Sequence, residues 1–231
     1  MNAVRTGAMK AIEQAYAELK TAARGWGLDL SPEQTARIDR FLNDLLSANA
    51  KVNLSADQSP QTVLLRHIAD GLAAAAALRR EMALVRPRIL DLGSGGGYIG
   101  MAVKIAWPEA HMTLMESVQR KYRFLNAMAV RSGLAGLTVS SRRAGEGSKA
   151  PETNFDAVLA RALAPLPEAA ALALPLCGTQ GLCLIFQSQA PDANEPRLAR
   201  VLARHGARLV KSIQYRLPRE ERDRHLALFR K

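Results

Sequence analysis

The chain has 231 residues, 48% of them apolar, and its 32 Lys and Arg against 21 Asp and Glu give a formal net charge of +11. This length allows one large hydrophobic core with an extension, and no stretch reaches the roughly 18 apolar residues that a membrane span needs. Residues 1–30 lack the charged start and apolar block of a signal peptide. We therefore expect a cytoplasmic protein without a membrane partner.

The excess positive charge lies at the two ends of the sequence. Residues 1–90 hold 12 basic and 9 acidic side chains, residues 91–196 hold 9 of each, and residues 197–231 hold 11 and 3. A basic tail beside a neutral centre is typical of a protein that meets a polyanion, since each neutralised phosphate releases counterions. The alternative explanation of the same composition is a basic surface that is merely exposed to solvent.

The N-terminal part of the chain predicts helices. Apolar residues recur at helical spacing within Met9–Gly25. The segment Ser31-Pro32-Glu33-Gln34 carries the signature of a capping box with proline at the first helical position, and Ser59-Pro60 begins a third helix in the same way. We expect residues 1–87 to form a helical extension packed on a domain of residues 88–231.

From Arg88 onward, predicted strands and helices alternate, which is typical of an α/β fold with a parallel sheet. The predicted strands cover residues 88–92, 111–116, 137–141, 155–160, 182–186, 208–217 and 225–230. The last two are joined by a short polar segment and predict an antiparallel hairpin. Seven mostly parallel strands with a terminal hairpin favour the Rossmann-like fold of class I methyltransferases over a complete dinucleotide-binding fold, which needs a second phosphate-binding half.

A glycine-rich loop follows the first predicted strand. Asp91 lies near the end of that strand, and Gly93, Gly95 and Gly97 follow it at alternate positions. Glycine adopts positive φ easily and leaves no Cβ between the backbone and a ligand, while the next helix directs free N–H groups at an anion. These four residues therefore predict a site for a nucleotide-like cofactor.

Two cofactors fit this loop. Gly95–Gly100 matches the dinucleotide pattern G-x-G-x-x-G, which would favour NAD. Asp91 and the spacing of the glycines instead favour S-adenosyl-L-methionine (AdoMet), whose aminopropyl-carboxylate tail needs a wider loop. Glu116 follows the second strand, where a carboxylate can accept both ribose hydroxyl protons of either cofactor. We expect AdoMet, with NAD as the alternative.

Signatures of other chemistries are absent from the sequence. Cys177 and Cys183 are too few for a zinc cluster or a disulfide framework, so we expect no metal and interpret both as small apolar residues. The segment Ala160–Pro165 stands where amino-methylating enzymes carry an Asp/Asn-Pro-Pro-aromatic signature. Methylation of an exocyclic adenine amine is therefore disfavoured.

Five short motifs follow one another across residues 30–190. They are Lys51-Val52-Asn53-Leu54-Ser55, then Arg66-His67-Ile68-Ala69-Asp70-Gly71-Leu72, then the glycine loop, then Glu116–Leu125, and then Ala160-Arg161-Ala162-Leu163-Ala164. In this order they resemble the small-subunit ribosomal RNA methyltransferase G family, also called glucose-inhibited division protein B. The resemblance implies AdoMet-dependent methylation of guanine N7 in 16S ribosomal RNA, with that RNA or the 30S subunit as partner. We expect a monomer.

The resemblance also implies particular site residues. In this family pattern Gly93 and Tyr98 of the glycine loop, the pair Ala144-Gly145 that follows Arg143 after the third strand, and Arg161 after the fourth strand would bind AdoMet. Guanine N7 has a free lone pair, so no base has to remove a proton and positioning suffices. The candidate catalytic residues are then Arg161, which would hold a guanine edge, a phosphate or the cofactor, and Asn53, which would face the target.

Other expectations concern the extension and the substrate. We interpret Asp70 as an acid on a helix surface and His67 as a packed histidine. The chain departs from the usual family pattern at Ile99, Gly145 and Gln187. Two alternatives therefore stay open: a methyltransferase of the same fold acting on a small molecule or a protein, and a non-catalytic RNA-binding or assembly factor that keeps the AdoMet pocket.

Overall fold

The computed structural model describes residues 2–52, 59–145 and 153–231, and these form a sheet with helices on both faces. The helices are α1 (Asn2–Gly25), α2 (Pro32–Val52), α3 (Pro60–Thr62), a π-helix (Val63–Ile68), α4 (Ala69–Glu81), α5 (Tyr98–Ala106), α6 (Gln119–Ser132), α7 (Leu166–Ala173), a 3-10 helix (Leu174–Leu176) and α8 (Pro196–Arg204). The strands are β1 (Arg88–Leu92), β2 (His111–Met115), β3 (Leu137–Ser140), β4 (Phe155–Ala160), β5 (Cys177–Gln187), β6 (Arg208–Tyr215) and β7 (Arg224–Arg230).

The described residues form a seven-stranded sheet in the order β3-β2-β1-β4-β5-β7-β6. The first five strands run parallel, and β7 pairs antiparallel with both β5 and β6. The predicted sheet with its terminal hairpin is therefore confirmed. The fifth strand starts five residues earlier than predicted, because Cys177 already pairs with Phe155 across a register shift.

Local signals in the sequence predict several helix ends correctly, although α1 begins at Asn2, ahead of the predicted Met9. The capping box is formed reciprocally: the Ser31 N–H donates to Gln34 Oε1 at 2.9 Å, and the Gln34 N–H donates to Ser31 Oγ at 3.1 Å. The side-chain amide of Gln34 also donates, through Nε2, to the Ile105 carbonyl at 3.0 Å and so joins α2 to α5. Gly133 ends α6 with φ +62°, as expected of a C′ glycine.

The helix that starts at Ser59-Pro60 lies deeper in the molecule than an extension would suggest. Residues Ala69 to Leu78 of α4 are all buried, and the helix packs closely on α5. A Cβ at Gly71 would stand 2.6 Å from the Cβ of Ala102, so only glycine permits this approach. Before α4 the chain forms the π-helix Val63–Ile68, a conformation that is frequent near functional sites.

Two hydrophobic clusters cover the two faces of the sheet. Alternate strand residues separate them, with Ile89 in one cluster and Leu90 in the other. The larger cluster contains the buried side chains of α1, α2 and α4 together with those of α5 and α6. Since helices of the extension share a core with the sheet, the division at residue 87 stays a proposal. None of the described helices is long and apolar enough to cross a membrane.

Candidate active site at the carboxyl edge of the sheet

The predicted cofactor residues converge because three parallel strands end at the same level. Leu92 at the end of β1 pairs in register with Met115 of β2 and with Ala160 of β4. The loops that follow these strands therefore open at one edge, which is where parallel α/β sheets bind ligands.

The glycine loop has the backbone that its sequence predicts. Gly93, Gly95 and Gly97 have φ angles of +72°, +58° and +81°, a region that other residues seldom enter. The three glycines differ in their surroundings: a Cβ at Gly97 would stand 2.8 Å from Leu125 in α6, whereas a Cβ at Gly95 would meet nothing within 4 Å. Gly97 thus permits helix packing, and Gly95 faces open space.

Glu116 both holds the loop and faces the space beside it. Its carboxylate is largely buried, with Oε2 accepting the Gly95 N–H at 2.9 Å and Oε1 accepting the Val118 N–H at 2.7 Å. Each oxygen has a second lone pair. The residue can therefore brace the glycine loop and still accept ribose hydroxyl protons. The bracing contact with Gly95 was not evident from the sequence.

Asp91 lies behind the glycine loop. Its Oδ2 accepts the Gly100 N–H of α5 at 3.0 Å, and its backbone carbonyl accepts the Ser94 hydroxyl at 2.9 Å. Burial raises the pKa of this carboxyl to about 6, with the Gly100 hydrogen bond acting in the opposite direction. In this position Asp91 holds the loop against the helix, and its direct contact with a cofactor stays a prediction.

A first hollow opens beside the loop. Its lining includes Gly93, Met115, Glu116, Ala144, Gly145 and Leu163. The apolar side chains suit a purine ring, Glu116 suits a ribose, and the backbone of the glycines leaves room for a tail, so these residues fit AdoMet. Four of the predicted cofactor residues line this hollow, and the five that do not are Asp91, Gly95, Gly97, Tyr98 and Arg161.

A second hollow adjoins the first and shares Ala162 with it. Its lining includes Arg66, Asp70, Arg161, Ala162, Tyr215 and Arg224. Ala162 has a φ of +53°, which is uncommon for alanine and typical of strained positions at functional sites. Ala162, which divides the two hollows, therefore has a backbone conformation that alanine seldom adopts.

Arg161 lies at this border and contacts both the extension and α5. Its Nη1 donates to Asp70 Oδ2 at 2.9 Å, and its guanidinium carbon lies 5.8 Å from the centroid of the Tyr98 ring. Tyr98 is buried, and its ring lies against His67 at 4.7 Å between centroids. The packed environment expected for His67 is therefore confirmed. Asn53, the other candidate catalytic residue, lies outside the described residues.

Asp70, which the sequence analysis interprets as an acid on a helix surface, is fully buried. Its carboxylate accepts hydrogen bonds from Arg161, from Arg224 Nη1 at 3.0 Å and from the Tyr215 hydroxyl at 2.6 Å. Burial raises the pKa of the Tyr215 phenol, and the nearby carboxylate adds to this effect. The interpretation was wrong because two of these partners, Tyr215 and Arg224, lie about 150 residues further along the chain.

The two cysteines are free and buried, as expected of small apolar residues. A hydrogen bond with Cys177, together with burial, raises the pKa of the Cys183 thiol. Both belong to the hydrophobic cluster on the face of α7 and α8. Within the described ranges no group of three or more His, Cys, Asp or Glu could hold a metal ion.

Comparison with solved structures agrees with this architecture. The magnesium protoporphyrin IX methyltransferase (ChlM) from Synechocystis PCC 6803 with bound SAM aligns with a TM-score of 0.57 at 14% identity, covering 87% of this chain and 98% of that one. A 1,6-didemethyltoxoflavin-N1-methyltransferase from Burkholderia thailandensis aligns with a TM-score of 0.55 at 18% identity, covering 80% and 87%. At these identities the likeness establishes the class I methyltransferase fold.

Sequence comparison is more specific. Residues 34–225 match the family described as GidB, rRNA small subunit methyltransferase G. The protein named ribosomal RNA small subunit methyltransferase G from Myxococcus xanthus (strain DK1622) is 34% identical over 218 residues, 93% of this chain and 96% of that protein. Its namesake from Dehalococcoides mccartyi (strain CBDB1) is 29% identical over 217 residues, with 93% and 90% covered. The chain therefore belongs to the rRNA small subunit methyltransferase G family, and it is an AdoMet-dependent methyltransferase.

Proposed function

We propose that the protein methylates N7 of a guanine in 16S ribosomal RNA, either in the free RNA or in the 30S subunit. The observation that carries the proposal is the pair of adjoining hollows that share Ala162, in a chain of this family. The first hollow would hold AdoMet and the second would receive the base. This substrate places the protein in the cytoplasm.

In this proposal the residues of the first hollow bind rather than react. Glu116 would accept the ribose hydroxyls, and the backbones of Gly93 and of Ala144-Gly145 would lie along the rest of the cofactor. AdoMet supplies, when bound, an electrophilic methyl group on a positively charged sulfur. Asp91 holds the loop to α5, so that these groups stand in place before the substrate arrives.

The second hollow suits an acceptor that needs no proton removed. Among the described residues of its lining there is no histidine or cysteine, and the three carboxylates Asp70, Glu220 and Asp223 are each engaged by an arginine. Guanine N7 is such an acceptor, because its lone pair lies in the plane of the ring and is free. Arg161, in the lining of this hollow, would orient the guanine edge.

Exposed arginines beside both hollows suit an RNA substrate. Arg142 and Arg143 line the first hollow, and Arg66 and Arg222 line the second. Contacts of this kind neutralise phosphates and add affinity that falls with salt concentration. We expect the RNA backbone to pass along this edge of the sheet while one base enters the second hollow.

Methyl transfer from labelled AdoMet tests the proposal. The protein is incubated separately with 30S subunits, free 16S RNA and a metabolite extract, and the label is located by nuclease digestion and mass spectrometry. We expect label in 16S RNA as 7-methylguanosine. Label in small molecules or protein would favour the alternative substrate class, and salt-sensitive RNA binding without any transfer would favour a non-catalytic assembly factor.

A further inference from the structure

Asp70 is the residue at which three separate parts of the molecule meet. It lies in α4, whereas its partners Arg161, Tyr215 and Arg224 follow β4, end β6 and begin β7. The carboxylate is buried and accepts from all three, and both arginines bind the same oxygen, Oδ2. We call these four residues the Asp70 cluster.

The cluster belongs to a larger group of alternating charges. Glu220 accepts from Arg224 Nη2 at 2.7 Å and from Arg66 Nε at 3.2 Å. Three guanidinium groups thus contact two carboxylates, which leaves a formal charge of +1 at the second hollow. The side chain of Arg161 remains 19% exposed, while that of Asp70 is 1% exposed. Both residues are among those that line the hollow, and the guanidinium of Arg161 is the more accessible of the two charged groups.

Methylation at N7 places a charge in this hollow. The N7 lone pair forms the bond to the methyl carbon, the sulfur–methyl bond breaks with its electrons left on sulfur, and no proton is released. Positive charge consequently passes from sulfur to the purine. An arginine beside the base attracts RNA but opposes this change, since like charges repel strongly where water is excluded.

We propose that Asp70 is a positioning residue for methyl transfer, which fixes Arg161 at the border of the two hollows and offsets its charge while the purine becomes positive. The inference rests on the proposed guanine methylation. It explains why a carboxylate is buried in the apolar Ala-rich helix α4, where an unpaired charge would be costly. With Asp70 in place, Arg161 keeps its orientation toward the base, and its positive charge repels the methylated purine less strongly than an unpaired arginine would.

Three variants test the effect of the formal charge of this group of three arginines and two carboxylates. Asp70→Asn keeps the size of the side chain and raises the charge by one, Arg224→Gln lowers it by one, and the double variant restores the original value. We expect kcat on 30S subunits to fall by about 10- to 100-fold in Asp70→Asn, with KM for the subunit unchanged or lower. The double variant should recover most of this loss.

Glu81→Gln is the matched control. Glu81 also lies in α4 and binds β6, through Lys211 Nζ at 2.6 Å, and neither residue is among those that line the two hollows. It removes a comparable link between the extension and the hairpin, so kcat should stay near the wild-type value. Thermal melting and calorimetry with AdoMet are recorded for every variant, and we expect AdoMet affinity to change by less than about threefold in Asp70→Asn.

The outcomes separate this inference from the proposed function. Wild-type protein that methylates no RNA guanine would overturn both. Active wild-type protein with Asp70→Asn equal to Glu81→Gln, or a loss of kcat that follows melting temperature and is not restored in the double variant, would overturn the inference alone. If Asp70→Asn does not fold, Arg224→Gln tests the inference by itself. This variant lowers the charge of the group, so a kcat reduced by about tenfold or more would contradict the expected charge effect.

Discussion

The two hollows at the carboxyl edge of the sheet are built in different ways. The first is formed by the loops that follow β1, β2, β3 and β4 together with Leu172 of α7, and its lining includes the small residues Gly93, Ala144 and Gly145. The second is formed by charged side chains from the π-helix, α4, the loop after β4 and the β6–β7 hairpin. The first should therefore be sensitive to added bulk, and the second to changes of charge.

Gly95→Val should give the largest effect. Gly95 binds Glu116 through its N–H and faces open space, so a branched side chain would occupy the path of the cofactor. We expect calorimetry to show AdoMet affinity reduced by more than about 100-fold. Gly27→Val is the control, because Gly27 also has positive φ and open surroundings but lies between α1 and α2. Wild-type affinity in Gly95→Val would contradict the loop assignment.

Asp91 should make the stability of the folded protein depend on pH. Its pKa is raised from 3.8 to about 6, so the folded protein holds this proton over a pH range in which the unfolded chain releases it. The buried charge then costs stability as pH rises from about 4 to 6, up to about 3 kcal/mol.

Asp91→Asn removes this titration. Urea unfolding at pH 4 and pH 7 should show the variant gaining stability relative to wild type at the higher pH. A difference between Asp91→Asn and wild type that is the same at both pH values would refute the assigned role.

Glu116→Gln tests a side chain that both binds the glycine loop and lines the first hollow. The amide replaces one acceptor oxygen with a donor, which then faces the N–H of Gly95 or Val118. We expect about a tenfold loss of AdoMet affinity. Asp156→Asn is the matched control, since Asp156 accepts the Arg88 N–H at 2.7 Å at the opposite edge of the sheet. Equal effects of the two variants on AdoMet binding would count against a cofactor role for Glu116.

Tyr215→Phe should have a modest effect, on stability rather than on AdoMet affinity. It removes one donor from the buried Asp70 while both arginines remain, so we expect a loss of about 1–2 kcal/mol in the free energy of unfolding. Tyr16→Phe removes a hydroxyl bound to the exposed Asp39 and should cost less. If the order of the two variants is reversed, the Asp70 cluster is not the stabilising group that its burial indicates.

The difference between local and long-range interactions explains how much of the structure could be predicted from the sequence. The strand pattern, the capping box and the positive φ of Gly93, Gly95 and Gly97 follow from residues a few positions apart, and these were predicted correctly except for the start of the fifth strand. Asp70 was misplaced because its environment depends on Tyr215 and Arg224, which no local pattern connects to it. The excess of arginine in residues 197–231 pointed to that region without identifying its partners.

Methylation of guanine N7 in small-subunit RNA can be tested directly by mass spectrometry of nucleosides from 30S subunits that lack the modification, after reaction with AdoMet and either wild-type protein or Gly95→Val. We expect 7-methylguanosine in 16S RNA with the wild type and none with the variant. A methyl group on any other atom, or unmodified RNA in both reactions, would contradict it.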